Sequence, residues 1–130
     1  MRIICHGIDL VPVARIAKMV ADHNDRFLER CFTPAERAYN ADSRRYHEHL
    51  AARFAAKEAV MKALGTGLAD GICWTDIEVV RGAAGQPGLQ LSGKAAIVAA
   101  TLGIHHWVFS LTHTDELAMA SVIGVSTRKS

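Results

Sequence analysis

Apolar residues recur along this chain at two different periods, and the switches between them outline its elements. The opening RIICHGIDL is β-branched at Ile3, Ile4 and Ile8 and predicts a strand that ends near Asp9. Gly7 inside it marks a bend or a close approach of another backbone. After Pro12, Val13, Ile16 and Val20 fall at helical spacing and turn Arg15, Lys18, Met19 and Asp22 outward. DRFLERCF continues as a short helical piece, and Thr33, Pro34 and Glu36 form the cap, first position and capping box of the next helix. The polar NADSRR makes a turn in which Ser43 is expected to cap the longest helix, running to about Leu64, with Gly65 as its left-handed C-cap.

The second half alternates more. WTDIEVVR predicts a strand, GAAGQPG a turn and LQL a short returning strand. Ser92 is expected to cap the helix GKAAIVAATL, which stops at Gly103. HHWVFSLTH and ELAMASVIGV are β-rich runs joined at Thr114 and Asp115, an antiparallel hairpin. This mixed order points to the α+β class in one domain over residues 1–126, with residues 127–130 as a frayed tail.

Composition narrows the classes. At 130 residues, with 50% hydrophobic and 22% charged residues, the chain suits one folded domain and not a disordered one. Its apolar stretches reach about ten residues, half of a membrane span, so no membrane partner is expected. His6 and Asp9 stand where a secretion signal needs an apolar core, and a cytoplasmic protein is the expectation. Cys5, Cys31 and Cys73 are widely separated and read as three buried thiols. His47 and His49 cannot share a helix face, and His105 and His106 point opposite ways on a strand, so no histidine metal site is expected. Net charge is only +2, yet residues 1–62 hold 11 of the 15 lysines and arginines. Eight acidic residues in the same half argue against nucleic acid as the partner.

The stretch FAAKEAVMKALGTG, residues 54–67, concentrates the chemistry. Its glycines suggest a phosphate loop, but such a loop precedes a helix and uses the positive end of the dipole, whereas GTG follows one. Gly65 therefore reads as a helix terminus and Gly67 as loop. Glu58 and Lys62, four apart, share a helix face, and an exposed ion pair between them is the plain reading. Alanines 51, 52, 55, 56 and 59 make a thin-sided helix that another element, or a flat ligand, can approach closely. The other reading is a cation site: magnesium takes one or two carboxylates and completes its shell with water and phosphate oxygens. Glu58 would then need a partner such as Asp9, with Lys62 facing the same phosphates. His113 at the hairpin turn is a structural hydrogen-bonder or a phosphate donor or base.

Five segments together resemble a known family. GIDLV at 7–11, RFAAKEAVMKALGTG at 53–67, WTDIEV at 74–79, GQP at 85–87 and SLTHT at 110–114 are similar, in order and spacing, to the holo-[acyl-carrier-protein] synthases, the short members of the 4′-phosphopantetheinyl transferase superfamily. The resemblance implies an α+β domain with a long helix packed on an antiparallel sheet, assembled as a homotrimer with an active site at each interface. It implies transfer of 4′-phosphopantetheine from coenzyme A to a serine of an apo acyl carrier protein, releasing adenosine 3′,5′-bisphosphate. It places Mg²⁺ on Asp9 and Glu58, catalysis on Glu58 and Lys62, and coenzyme A on Lys62, His113 and Arg53. Glu58 is the first choice of base for the serine proton and Asp9 the second. The carrier-binding surface falls on Arg15, Met19, Arg26, Phe27 and Arg30, with Asp22 and Asp25 diluting its positive charge. A module that binds coenzyme A or an acidic partner without turnover is the alternative, and the joint presence of Asp9, Glu58 and Lys62 favours the enzyme.

Overall fold

The computed structural model describes residues 1–127. Most of the expected tail, residues 128–130, lies outside them. The elements run β1 (Arg2–Pro12), α1 (Val13–His23), α2 (Asp25–Cys31), α3 (Pro34–Ala38), α4 (Tyr46–Leu64), β2 (Ile77–Arg81), β3 (Pro87–Leu91), α5 (Gly93–Leu102), β4 (His106–His113) and β5 (Leu117–Ser126). Strands β1, β5 and β4 form an antiparallel sheet in that order, and β2 and β3 form a separate ribbon. The α+β class and the terminal hairpin are as the pattern predicts. Trp74–Asp76 form a 3₁₀ turn instead of opening the strand, so β2 begins only at Ile77.

Helix α4 lies across β1 and β5 and fills the centre of the molecule. Its alanines at 51, 52, 55, 56 and 59 are all buried, together with Leu50, Phe54, Val60 and Leu64. The small side chains let the helix settle directly on the strand. A Cβ at Gly7 would stand 2.0 Å from the Ala59 carbonyl oxygen, so only glycine fits there. Against the sheet, Val11, Ala118, Ala120 and Val122 are buried, whereas Ile8, Leu10, Val108, Leu117 and Met119 are exposed. Alternation along the strands thus covers one face of the sheet and leaves an apolar face open.

Helix ends follow the expectations in part. Thr33 and Glu36 form the capping box, and Gly65 and Gly103 end α4 and α5 at φ of 73° and 83°. Ser43 does not cap α4. That helix starts after Arg45, and the Ser43 hydroxyl accepts the Arg45 N–H within the preceding turn. Ser92 holds the N-cap position of α5 without a side-chain cap, because its hydroxyl lies toward the Asp76 carbonyl.

Glu36 also does something the sequence pattern did not suggest. Its carboxylate is buried, paired with the buried Lys57 ammonium at 2.8 Å, and accepts the Thr33 and Val79 N–H groups. Lys57 donates to the Trp74 and Ile77 carbonyls as well. One fully bonded ion pair therefore ties α3, α4 and β2. Beside it Phe27, Phe32, Phe54 and Trp74 cluster, with Phe54 stacked on Trp74 at 4.6 Å. Of the thiols only Cys31 is buried, and burial pushes it up to about 11; Cys5 is half-buried and Cys73 exposed, which corrects the expectation of three buried cysteines.

Candidate active site

The close contact of Gly7 with Ala59 brings two carboxylates together. Alternation puts Asp9, like Gly7 and Val11, on the side of β1 facing α4; it sits inside the strand, opposite Ala120, and not at its end. Glu58 and Lys62 flank the contact on successive turns of α4. The Lys62 ammonium lies 2.6 Å from Asp9 Oδ1 and donates to the Ile8 carbonyl at 3.3 Å. Glu58 faces the Arg15 guanidinium at 3.8 Å. The expected Glu58–Lys62 ion pair is therefore replaced: each residue takes its partner from another element, because the strand and α1 come nearer than one helical turn.

The electrostatics are those of two acids in a tight place. Burial pushes the Glu58 carboxyl above the usual range, and the neighbouring Asp9 carboxylate pushes it further, while Arg15 and Lys62 pull it back. The hydrogen bond to Asp9 holds the Lys62 ammonium above its usual value. Asp9 is only 8% exposed, and its second oxygen, Oδ2, is buried without any partner. Such an orphaned oxygen calls for a donor or a cation. Two hard oxygen groups with an open lone pair suit Mg²⁺, whose remaining positions water and phosphate fill. Among the described residues no three His, Cys, Asp or Glu side chains converge, so the protein alone offers no closed metal cage. Beside the carboxylates a cleft of about 310 Å³ is lined by Arg15, Glu58, Met61, Lys62, Leu68 and Trp74.

Arg53 and His113 come together at a different place. Both line a cleft of about 280 Å³ with His49, Ala52, Arg81, Pro87 and Leu111. Arg53 is 3% exposed; its guanidinium lies 4.2 Å over the Tyr39 ring and donates to the His49 carbonyl, and its Nε has no partner. Arg81 lies at 4.8 Å from the same ring. His113 Nδ1 is 3.0 Å from Glu48 Oε1, and both line a cleft of about 500 Å³ with Arg44, Arg45, Thr114 and Asp115. Among the described residues none of Arg44, Arg45, Arg53 and Arg81 pairs with a carboxylate. The sequence reading missed Arg44, Arg45 and Arg81 because they lie in a turn and at a strand end, where no periodicity marks a shared surface.

Of the expected carrier-binding residues, Arg15, Arg26 and Arg30 are exposed and Met19 is half-buried. Phe27 is a correction: it is 5% exposed, packed on Phe32 and Phe54, and has no surface to offer a partner. Lys18 holds Asp22 at 2.6 Å, so these two charges offset each other locally on α1.

Known proteins resemble this chain throughout its length. A family described as the 4′-phosphopantetheinyl transferase superfamily matches residues 6–122. The holo-[acyl-carrier-protein] synthase of Koribacter versatilis is 50% identical over 117 residues, covering 90% of this chain and 94% of that protein. The crystal structure of a holo-(acyl-carrier-protein) synthase from Bacillus anthracis in complex with CoA (3′,5′-ADP) has a TM-score of 0.78 at 36% identity, over 98% of this chain and 100% of that one. That of the Helicobacter pylori enzyme in complex with coenzyme A has a TM-score of 0.79 at 31% identity, covering 92% and 99%.

Proposed function

Since this chain belongs to the 4′-phosphopantetheinyl transferase superfamily, among the holo-[acyl-carrier-protein] synthases, we propose how its residues divide that family's reaction between them. The enzyme transfers the 4′-phosphopantetheine group of coenzyme A to a serine of an apo acyl carrier protein, giving holo carrier protein and adenosine 3′,5′-bisphosphate. The observation that carries the assignment is the meeting of Asp9 with Lys62 and Glu58, two residues that line a cleft, with the buried Asp9 Oδ2 left without a partner.

Asp9 and Glu58 would hold a Mg²⁺ ion, which when bound supplies positive charge to the coenzyme A diphosphate. Lys62 reaches the same diphosphate and stabilises the charge that builds on the leaving phosphate as the serine oxygen attacks phosphorus. Glu58 accepts the serine proton: it is the more exposed of the two carboxylates, and Asp9, engaged by Lys62, is the less available one. Arg53 and His113, joined by Arg44, Arg45 and Arg81, form the basic region for the phosphate at the nucleotide end; the four arginines, without carboxylate partners among the described residues, support this role. Arg15, Met19, Arg26 and Arg30 receive the carrier. Arg15 borders both this surface and the cleft.

The two basic regions line separate clefts on one chain, and the sheet leaves an apolar face uncovered. Both features support association of copies in which a neighbour completes each site, and family likeness makes the assembly a homotrimer. The test is to incubate the protein with coenzyme A, Mg²⁺ and apo carrier protein and weigh the carrier by mass spectrometry. The carrier gains one phosphopantetheine, and the gain disappears with chelator or with Asp9→Asn. Absence of any gain across several carriers would overturn the enzymatic assignment, and a gain undiminished by chelator would overturn the role of magnesium.

A further inference from the structure

The Lys62–Asp9 contact is closer than a phosphate-binding role for Lys62 requires. A carboxylate as buried as Asp9 is stable only when paired, and Lys62 supplies that pair at Oδ1 while Oδ2 remains without a partner. The ammonium stands at the end of a flexible stem that is 57% exposed, so it can leave Asp9 without being stripped of water or dragging the helix. Around the cleft the charges cancel: Asp9 and Glu58 against Lys62 and Arg15. A divalent cation entering this group would stand against an ammonium already bonded to one of its two ligands, and the two positive groups repel each other at contact distance.

We infer that Lys62 is the resident counter-ion of Asp9 in the substrate-free enzyme, that it competes with the divalent cation for this carboxylate, and that cation loading releases it toward the diphosphate of coenzyme A. The inference rests on the reading of Asp9 and Glu58 as cation ligands and goes beyond it. Lys62 passes from one anion to another, and neither the buried carboxylate nor the incoming diphosphate is left without a cation. By linkage the cation then raises the affinity for coenzyme A, and coenzyme A that for the cation, both through this one side chain.

The test is Mn²⁺ binding, measured by electron paramagnetic resonance or calorimetry without coenzyme A. Lys62→Met binds Mn²⁺ more tightly than the native protein, on the order of tenfold. Lys18→Met, which removes an equal charge from α1 where it is paired with Asp22, leaves the affinity unchanged. In crystals loaded with Mn²⁺ the Lys62 ammonium stands beyond hydrogen-bond reach of Asp9 Oδ1. Binding that Asp9→Asn abolishes, but that is no tighter in Lys62→Met, overturns this inference alone, as does a Lys62–Asp9 bond that persists beside bound Mn²⁺. Binding undiminished in Asp9→Asn, or absent from every variant, overturns the ligand assignment and this inference with it.

Discussion

Glu58, the proposed base, costs the fold stability when it is ionised. Its ionised form is disfavoured by burial and by Asp9, so the folded carboxyl titrates above its unfolded counterpart. The destabilisation this causes is fully present above the folded value and vanishes as pH falls below the unfolded value of about 4.3. Glu58→Gln should therefore raise the thermal midpoint of the metal-free protein at neutral pH, lose that advantage in acid, and lower transfer by about a hundredfold or more. Thermal scans in chelator, paired with carrier mass spectrometry, check both halves; a lowered midpoint at neutral pH would mean that the carboxylate serves the fold. His49 carries the opposite sign. Burial, with Arg53 and His113 nearby, holds its imidazole below the usual value, so it stabilises the fold as the neutral form above about pH 6.5, and that contribution is lost as pH falls toward the folded value. His49→Gln should flatten the acid limb of stability against pH below about 6.5, read by urea titration at each pH. At this scale the sequence gives residue types well and partners poorly. Chemistry and family likeness match Asp9 with Glu58, but helical spacing pairs Lys62 with Glu58, because spacing along one helix cannot register a strand lying closer than the next turn.

Among the elements, α4 is read correctly at its C-terminal end and begins later than a Ser43 cap would place it, and one of its charges goes unread. Within KEAVMK, nothing local marks out Lys57, yet it is buried against Glu36 from a helix that precedes it by a polar turn. No local pattern signals this, since the pair exists only when α3, α4 and β2 have met. Lys57→Met should destabilise the protein by about 3–5 kcal/mol, because it leaves the Glu36 carboxylate buried without its cation while that carboxylate still accepts two N–H groups. Urea unfolding measures the loss, and a cost below about 1 kcal/mol would show that Glu36 escapes to water or takes up a proton easily. The serine caps failed for a related reason. Ser43 and Ser92 stand in favourable positions, but each has a nearer partner, the Arg45 N–H and the Asp76 carbonyl. Gly65 and Gly103 succeeded because a positive φ depends on the backbone alone.

For the whole molecule, the open face of the β1–β5–β4 sheet is the largest structural fact that periodicity could have announced. The alternation that buries Val11, Ala118, Ala120 and Val122 necessarily sends Ile8, Leu10, Leu117 and Met119 the other way. The sequence reading registered the strands as apolar runs and did not separate their two faces, so assembly came only from family likeness. Leu10 and Met119 sit opposite each other in the register. On the proposed homotrimer, Leu10→Asp with Met119→Lys should leave the helical and strand content unchanged by circular dichroism, lower the particle mass in sedimentation, and reduce transfer. An assembly that survives both changes would place the contact between copies elsewhere.

The contact between Gly7 and the Ala59 carbonyl bears on how such a site can vary over time. The obstructing atom belongs to the main chain, so no replacement at position 59, however small, clears room for a side chain at position 7. Most tight contacts in a core can be traded, one residue shrinking as its neighbour grows. This one has no second-site partner. A saturation library at position 7 should return glycine even from backgrounds in which α4 has been freely mutated, and the spacing of Asp9 from Glu58 is inherited together with that glycine.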